Sequence, residues 1–104
     1  MKMTNGAELI AEERQRQIDA EGWTPEHDDT HNTGQLAFAA ACYADYAAHQ
    51  AAKVSFDERS AAEYRQWPWD VAWWKPSASP IRNLVKAGAL IAAEIDRLQR
   101  RMVP

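Results

Sequence analysis

The densest polar chemistry in the chain lies in Glu26-His27-Asp28-Asp29-Thr30-His31, where two carboxylates and two imidazoles fall within five residues. Imidazole and carboxylate are ligands for zinc, manganese or iron. Their spacing matches no helix-borne metal site, such as two histidines four apart with a glutamate between. The same residue types cap helix ends and close turns. A third use is open to Asp29 and His31, which can hydrogen-bond the ribose or base edges of a polar ligand. No residue here is assigned as a metal ligand, and no resident cofactor is called for.

The second concentration of chemistry is aromatic. Trp67-Pro68-Trp69-Asp70-Val71-Ala72-Trp73-Trp74-Lys75-Pro76 holds four of the five tryptophans, and the fifth, Trp23, stands just before the polar cluster. Pro68 and Pro76 restrict this stretch, and the residue before each is pushed to extended geometry. It alternates poorly for a strand. An irregular aromatic segment over 67–79, laid across helices, is the expectation. Purine faces stack on indoles with about 1–3 kcal/mol per base, so Trp23, Trp67 and Trp69 are candidate walls of a pocket. Trp73 and Trp74 read as packing. Arg14, Arg82, Lys75 and Lys86 are candidate phosphate partners, arginine being favoured for its bidentate fork. Each has a plainer role as well: tryptophan as core, lysine as a solvated cation, and the Arg14 stem as a cover for apolar surface.

Three helices must position these groups. Asn5-Gly6-Ala7-Glu8 forms a capping box, so a helix is expected over about 7–21, stopping at Gly22. Its apolar stripe is thin, which puts Arg14 and Gln17 on or beside the inward face. Residues 22–33 carry turn residues without periodicity and are expected to be a polar loop. The second helix is expected over about 34–52, capped by Asn32 or Thr33, with Leu36, Ala39, Ala40, Tyr43 and Ala47 on one face. Its alanines permit close approach of a neighbouring helix, and Cys42 reads as a small buried hydrophobe. Residues 53–66 read as a link. Ser79 and Pro80 are strong start signals for the last helix, over about 80–101. There Ile81, Leu84, Val85, Gly88, Ile91, Ala92, Ile95 and Leu98 follow a 3.6-residue period. Glu94, Asp96, Arg97, Arg100 and Arg101 are expected on the other face. Gly88 is expected to pack closely against the alanine-rich helix.

The fold class is therefore all-α, in one small helical domain of 104 residues. A net charge of −3 argues against a general nucleic-acid binder, which normally carries a basic face. No apolar run approaches the length needed to span a bilayer, and no signal peptide is recognised at the N-terminus. One cysteine rules out an internal disulfide and suits a reducing cytoplasm. The alanine stripe and the tryptophans would suit a homo-oligomer.

Arg14-Gln15-Arg16, Glu21-Gly22-Trp23-Thr24, Asp28-Asp29, Thr30-His31 and Leu36, followed by Pro68-Trp69-Asp70 and Arg82-Asn83, resemble the ryanodine-receptor repeat domain in its short prokaryotic form. The overall pattern is also similar to small proteins of tailed phages and prophages. The resemblance implies a helical binding module associated with adenine nucleotides and nucleotide-derived signals. For a phage protein standing alone it implies capture of a host immune nucleotide, an anti-defence sponge acting in the host cytoplasm.

Three readings follow. The first is a non-enzymatic binder of a nucleotide-derived ligand of cyclic-nucleotide or ADP-ribose type, held by Trp23, Asp29, His31, Trp69, Arg82, Arg14, Trp67 and Lys86. The second is a metal-dependent all-α nucleotide pyrophosphatase using Glu12, Glu13, Asp28, Asp29, Glu94 and Asp96, since metal-assisted phosphoryl chemistry needs converging carboxylates. The third is an interaction module that inhibits a host enzyme by covering it, with tryptophans as interface anchors.

Overall fold

The computed structural model describes residues 4–53 and 66–102. Most of the link expected over 53–66 lies outside the described residues. The protein is all-α: helices α1 (Gly6–Glu21), α2 (Pro25–Asp28), α3 (Gln35–Ala51) and α4 (Pro80–Met102) account for the regular structure of the described residues, with a 3-10 turn at Val71–Trp73. Among the described residues no helix is long and apolar enough to cross a membrane.

The ends of α1 follow from its sequence. The Asn5 side chain accepts from the Glu8 amide at 2.9 Å, and the Glu8 carboxylate accepts from the Asn5 amide at 3.3 Å. The helix stops where Gly22 turns left-handed at φ 75° and donates its N–H to the Gln17 carbonyl. What α1 buries is unusual: its fully buried residues are Glu13 and Gln17.

The polar loop expected over 22–33 contains the one-turn helix α2. Thr24 caps it by accepting from the His27 amide, and Pro25 occupies the first turn, where its missing N–H costs nothing. The start of α3 also differs from expectation. Gly34 itself is the cap residue, at φ 82°, and makes no side-chain capping bond. Thr33 instead gives its amide to Gln35 Oε1 at 2.8 Å. As expected, α3 turns Leu36, Ala39, Ala40, Tyr43 and Ala47 inward, with Cys42 fully buried among them.

The main correction concerns α4. Its bounds agree with the sequence and Val85 is buried as expected, but most of its large apolar residues point away from the core. Ile81, Leu84, Ile91, Ile95, Leu98 and Met102 are all exposed. The buried face is Asn83, Val85, Ala87, Ala89, Leu90, Ala93, Glu94 and Arg97. The reason is steric. An alanine-lined α3 comes close, and α4 meets it with alanines and a single leucine, Leu90. Glu94 and Arg97, expected on the solvent face, are buried and ion-paired to each other. Gly88 does not face α3. A Cβ built there would lie 2.5 Å from Ile10 Cδ1, so the glycine admits α1.

The aromatic segment closes over α3 and α4. Trp74 is buried against Tyr43 and Tyr46, with ring centroids at 4.8 and 5.8 Å. Trp73, expected to pack beside it, is 58% exposed. The Asp70 side chain starts the 3-10 turn by accepting from the Ala72 amide at 2.8 Å. Fully buried Asn83 anchors the far end. Its Nδ2 donates to Gln50 Oε1 and to the Ser77 carbonyl, and its Oδ1 accepts from the Ser77 amide, all at 2.8 Å.

Candidate binding cleft

A cleft of about 640 Å³ opens between α1, the 22–33 segment, the aromatic segment and α4. Its aromatic wall is a chain of rings in contact. His31 lies 5.1 Å from Trp69 at 57°, and Trp69 lies 5.4 Å from Trp67 at 90°. Trp67 in turn meets Tyr43 edge-on at 5.8 Å and Trp74 at 5.0 Å. Trp23, Trp67, Trp69 and His31 are half-buried, while Tyr43 and Trp74 behind them are buried. The outer rings thus present surface, held in place by the inner ones. Trp67 spends its indole N–H on the Asp70 carbonyl at 3.0 Å. The Trp69 indole N–H is buried with no acceptor among the described residues.

The floor is polar. Glu13 accepts from Arg16 Nε and Nη2 at 2.8 and 3.0 Å, from Gln17 Nε2 at 3.1 Å and from Arg82 Nη1 at 2.8 Å. Burial pushes its carboxyl pKa up, but these hydrogen bonds from Arg16, Arg82 and Gln17 outweigh burial and hold it below the ordinary value. A carboxylate can only accept, so Gln17 must turn its amide nitrogen to Glu13 and its oxygen elsewhere. That oxygen is buried and finds no donor among the described residues. Gln17 and Trp69 both line the cleft, but the Gln17 Oε1 and Trp69 Nε1 atoms are themselves shielded, so the cleft meets the rest of each side chain.

The 22–33 segment is held by two arginines. Arg14 donates to Asp28 at 2.8 Å and to the Trp23 carbonyl at 3.3 Å, which fixes the Trp23 edge of the cleft. Burial raises the Asp28 carboxyl pKa in spite of the Arg14 guanidinium. Arg100 donates to Asp29 at 2.7 Å and to the Pro25 carbonyl at 3.1 Å. His31 has its pKa lowered by burial and by the neighbouring His27, so at neutral pH it meets the cleft as a neutral ring. Lys86 donates to the Lys75 carbonyl at 2.8 Å and sits 5.4 Å over the Tyr43 ring. Burial and the nearby Arg82 lower its pKa.

Of the eight residues assigned to the ligand by sequence, Trp23, His31, Trp67, Trp69 and Lys86 line this cleft together, and so does Lys75, the further candidate phosphate partner. Arg14, Arg82 and Asp29 do not; they are engaged by Asp28, Glu13 and Arg100. Asp29 borders a separate depression of about 390 Å³ with Asn32, Arg97, Arg100 and Arg101. The lining residues that sequence reasoning missed as ligand contacts include Glu13, Gln17 and Tyr43. The thin apolar stripe of α1 was a signal for the first two, because a helix with so little to bury must bury something polar. Among the described residues no three histidine, cysteine, aspartate or glutamate side chains gather as a metal set. Comparison of the chain with protein-family models, with curated proteins and with solved structures finds no match.

Proposed function

We propose that the cleft binds a small nucleotide-derived ligand and holds it without turning it over. The observation that carries this reading is the gathering of three half-buried indoles and a set of polar side chains around one cleft. Trp23, Trp67 and Trp69 offer ring surface for a base, and Arg16 and Lys75 stand in the same lining. A volume of about 640 Å³ suits a ligand of that size. Lys86 supplies a cation at the same cleft, suited to a phosphate. The ligand class, cyclic nucleotide or ADP-ribose type, comes from the resemblance to the ryanodine-receptor repeat. With it comes the proposed role of sequestering an immune signal in a phage setting. Among the described residues no three carboxylates of the pyrophosphatase reading gather as a metal set, and four of the six are held by arginines. Glu13 is engaged by Arg16 and Arg82, Asp28 by Arg14, Asp29 by Arg100 and Glu94 by Arg97.

The test is a titration with adenine nucleotides, cyclic dinucleotides and ADP-ribose derivatives, read by tryptophan fluorescence and thermal shift. One of them should raise the melting temperature and be recovered intact, with or without manganese. Trp69→Ala should weaken that binding by roughly tenfold or more, from the value of one stacked base, and leave the fold intact. If no nucleotide produces a response, the reading fails.

A further inference from the structure

The outer face of α4 has an order that solvent exposure does not require. Ile81, Leu84, Gly88, Ile91, Ile95, Leu98 and Met102 succeed one another at steps of three and four, alternating without a break over three heptads. This is the a/d spacing of a helix that packs lengthwise against another helix. In this chain the seam faces away from α3: Ile81 is 65% exposed and Met102 82%, with Leu84, Ile91, Ile95 and Leu98 close to half. The one small member, Gly88, is covered by Ile10, itself half-buried, so α1 extends the apolar band. No charged residue occupies a seam position.

We infer that α4 is the interface of a two-fold dimer, with its outer face packed on the same face of a second copy of this chain. An identical partner fits best because the seam is uncharged and continuous, so its complement is another surface of the same kind. The size also fits. Six exposed aliphatic side chains present on the order of 600 Å², at the upper end of the largest apolar patch a monomer usually leaves and approaching the ~800 Å² per partner of a standard interface. The alanine face of α3 cannot serve, because Ala39, Ala40 and Ala47 are already buried within the chain. A two-fold axis through the middle of the 81–102 seam brings Ile91 beside the partner's Ile91.

Light scattering on the eluting full chain tests this. The expected mass is twice the 11.8 kDa of one chain. Ile91→Glu and Ile95→Glu should each give a monomer with unchanged helical circular dichroism, because neither residue is part of the core of its own chain. If a glutamate unfolds the chain, Ile91→Cys decides the matter: mild oxidation should link it into a covalent dimer, while Cys42, fully buried, stays unreacted. A monomeric wild-type chain overturns the proposal, whether it remains free or binds lipid vesicles through the seam. So does a dimer that survives both glutamates, or an Ile91→Cys variant that fails to cross-link.

Discussion

The two faces of α4 are built on opposite plans. The face turned to the core carries Asn83, Ala87, Ala89, Leu90, Ala93, Glu94 and Arg97, and the face turned away carries isoleucine, leucine and methionine. An amphipathic surface helix normally does the reverse. The difference shows what holds this fold together. The inner face gains its stability from close approach and from completed hydrogen bonds, because alanines bury little area each. The outer face offers area that, apart from Ile10 over Gly88, stays largely uncovered among the described residues. Substitutions on the two faces should therefore differ in kind as well as size.

The largest effect is expected at Asn83, the centre of the inner-face network. Asn83→Ala leaves the Ser77 amide without its acceptor and removes the donor to Gln50 and the Ser77 carbonyl. Unmet buried polar groups of this kind cost about 3 kcal/mol together, which lowers the melting temperature of a chain this size by roughly 10–20 °C. The aromatic segment loses its anchor at the same time, so tryptophan fluorescence should shift to the red. A loss of only a degree or two would show that the inner face does not depend on its polar centre.

Glu13 comes next. Glu13→Gln removes the charge that faces both Arg16 and Arg82 and should cost about 2 kcal/mol at neutral pH. The pH dependence carries the sign. Glu13 has a folded pKa below its ordinary 4.5, so its contribution is complete above that value and is lost as pH falls through the lower, folded one. Asp28 works the other way. Its folded pKa is raised, so its ionised form is the less stable one in the fold, and acidification returns stability there. Wild-type and Glu13→Gln unfolding curves should thus converge as pH is lowered below 4.5. A gap that stays constant down the acid limb would mean that Glu13 is not the ionised hub of the cleft floor.

Much of this was legible in the chain, and the misses have physical causes. Asn5, Gly22 and Pro80 mark helix ends because caps and turns act locally, and the structure agrees. Thr24-Pro25 carries the same cap-then-proline signal as Ser79-Pro80, yet the turn residues around it hide a helix of one turn. The period of α4 showed that an apolar stripe exists. Periodicity is silent on which neighbour the stripe meets, and here the small residues won the core. Five cleft residues were legible as a set, since tryptophans with surface to offer are uncommon in a chain of this size. Arg14, Arg82 and Asp29 were not separable from them, because a sequence shows charges and not the partners that neutralise them.

At the boundary between the two faces stands Gly88. Alanine in place of glycine favours a helix by about 1 kcal/mol, but here its Cβ would meet Ile10 Cδ1 at 2.5 Å and Cγ1 at 2.7 Å. Overpacking of that kind costs more than the helix gains. Gly88→Ala should therefore destabilise by about 1 kcal/mol in the wild-type chain and stabilise by about as much in an Ile10→Ala background. A double-mutant cycle by urea denaturation reads the reversal. Additive effects would show that α1 does not rest on this glycine.

The smallest effect, and the one that separates the faces most cleanly, is expected outside. In the isolated chain Leu84→Gln changes a residue that is 51% exposed, and such surface changes usually stay within about 0.5 kcal/mol. Dilute samples of wild type and variant should melt nearly together. If a second copy covers the seam, the wild-type melting temperature must climb with protein concentration, because association stabilises only the folded state. The variant, with a polar amide in the seam, should climb less or not at all. The two chains would then diverge with concentration alone, although no contact within either chain has changed. An inner-face variant such as Asn83→Ala should instead stay below wild type at every concentration. Parallel curves for Leu84→Gln and wild type would make the outer face ordinary surface and leave the inversion of α4 without a consequence for assembly.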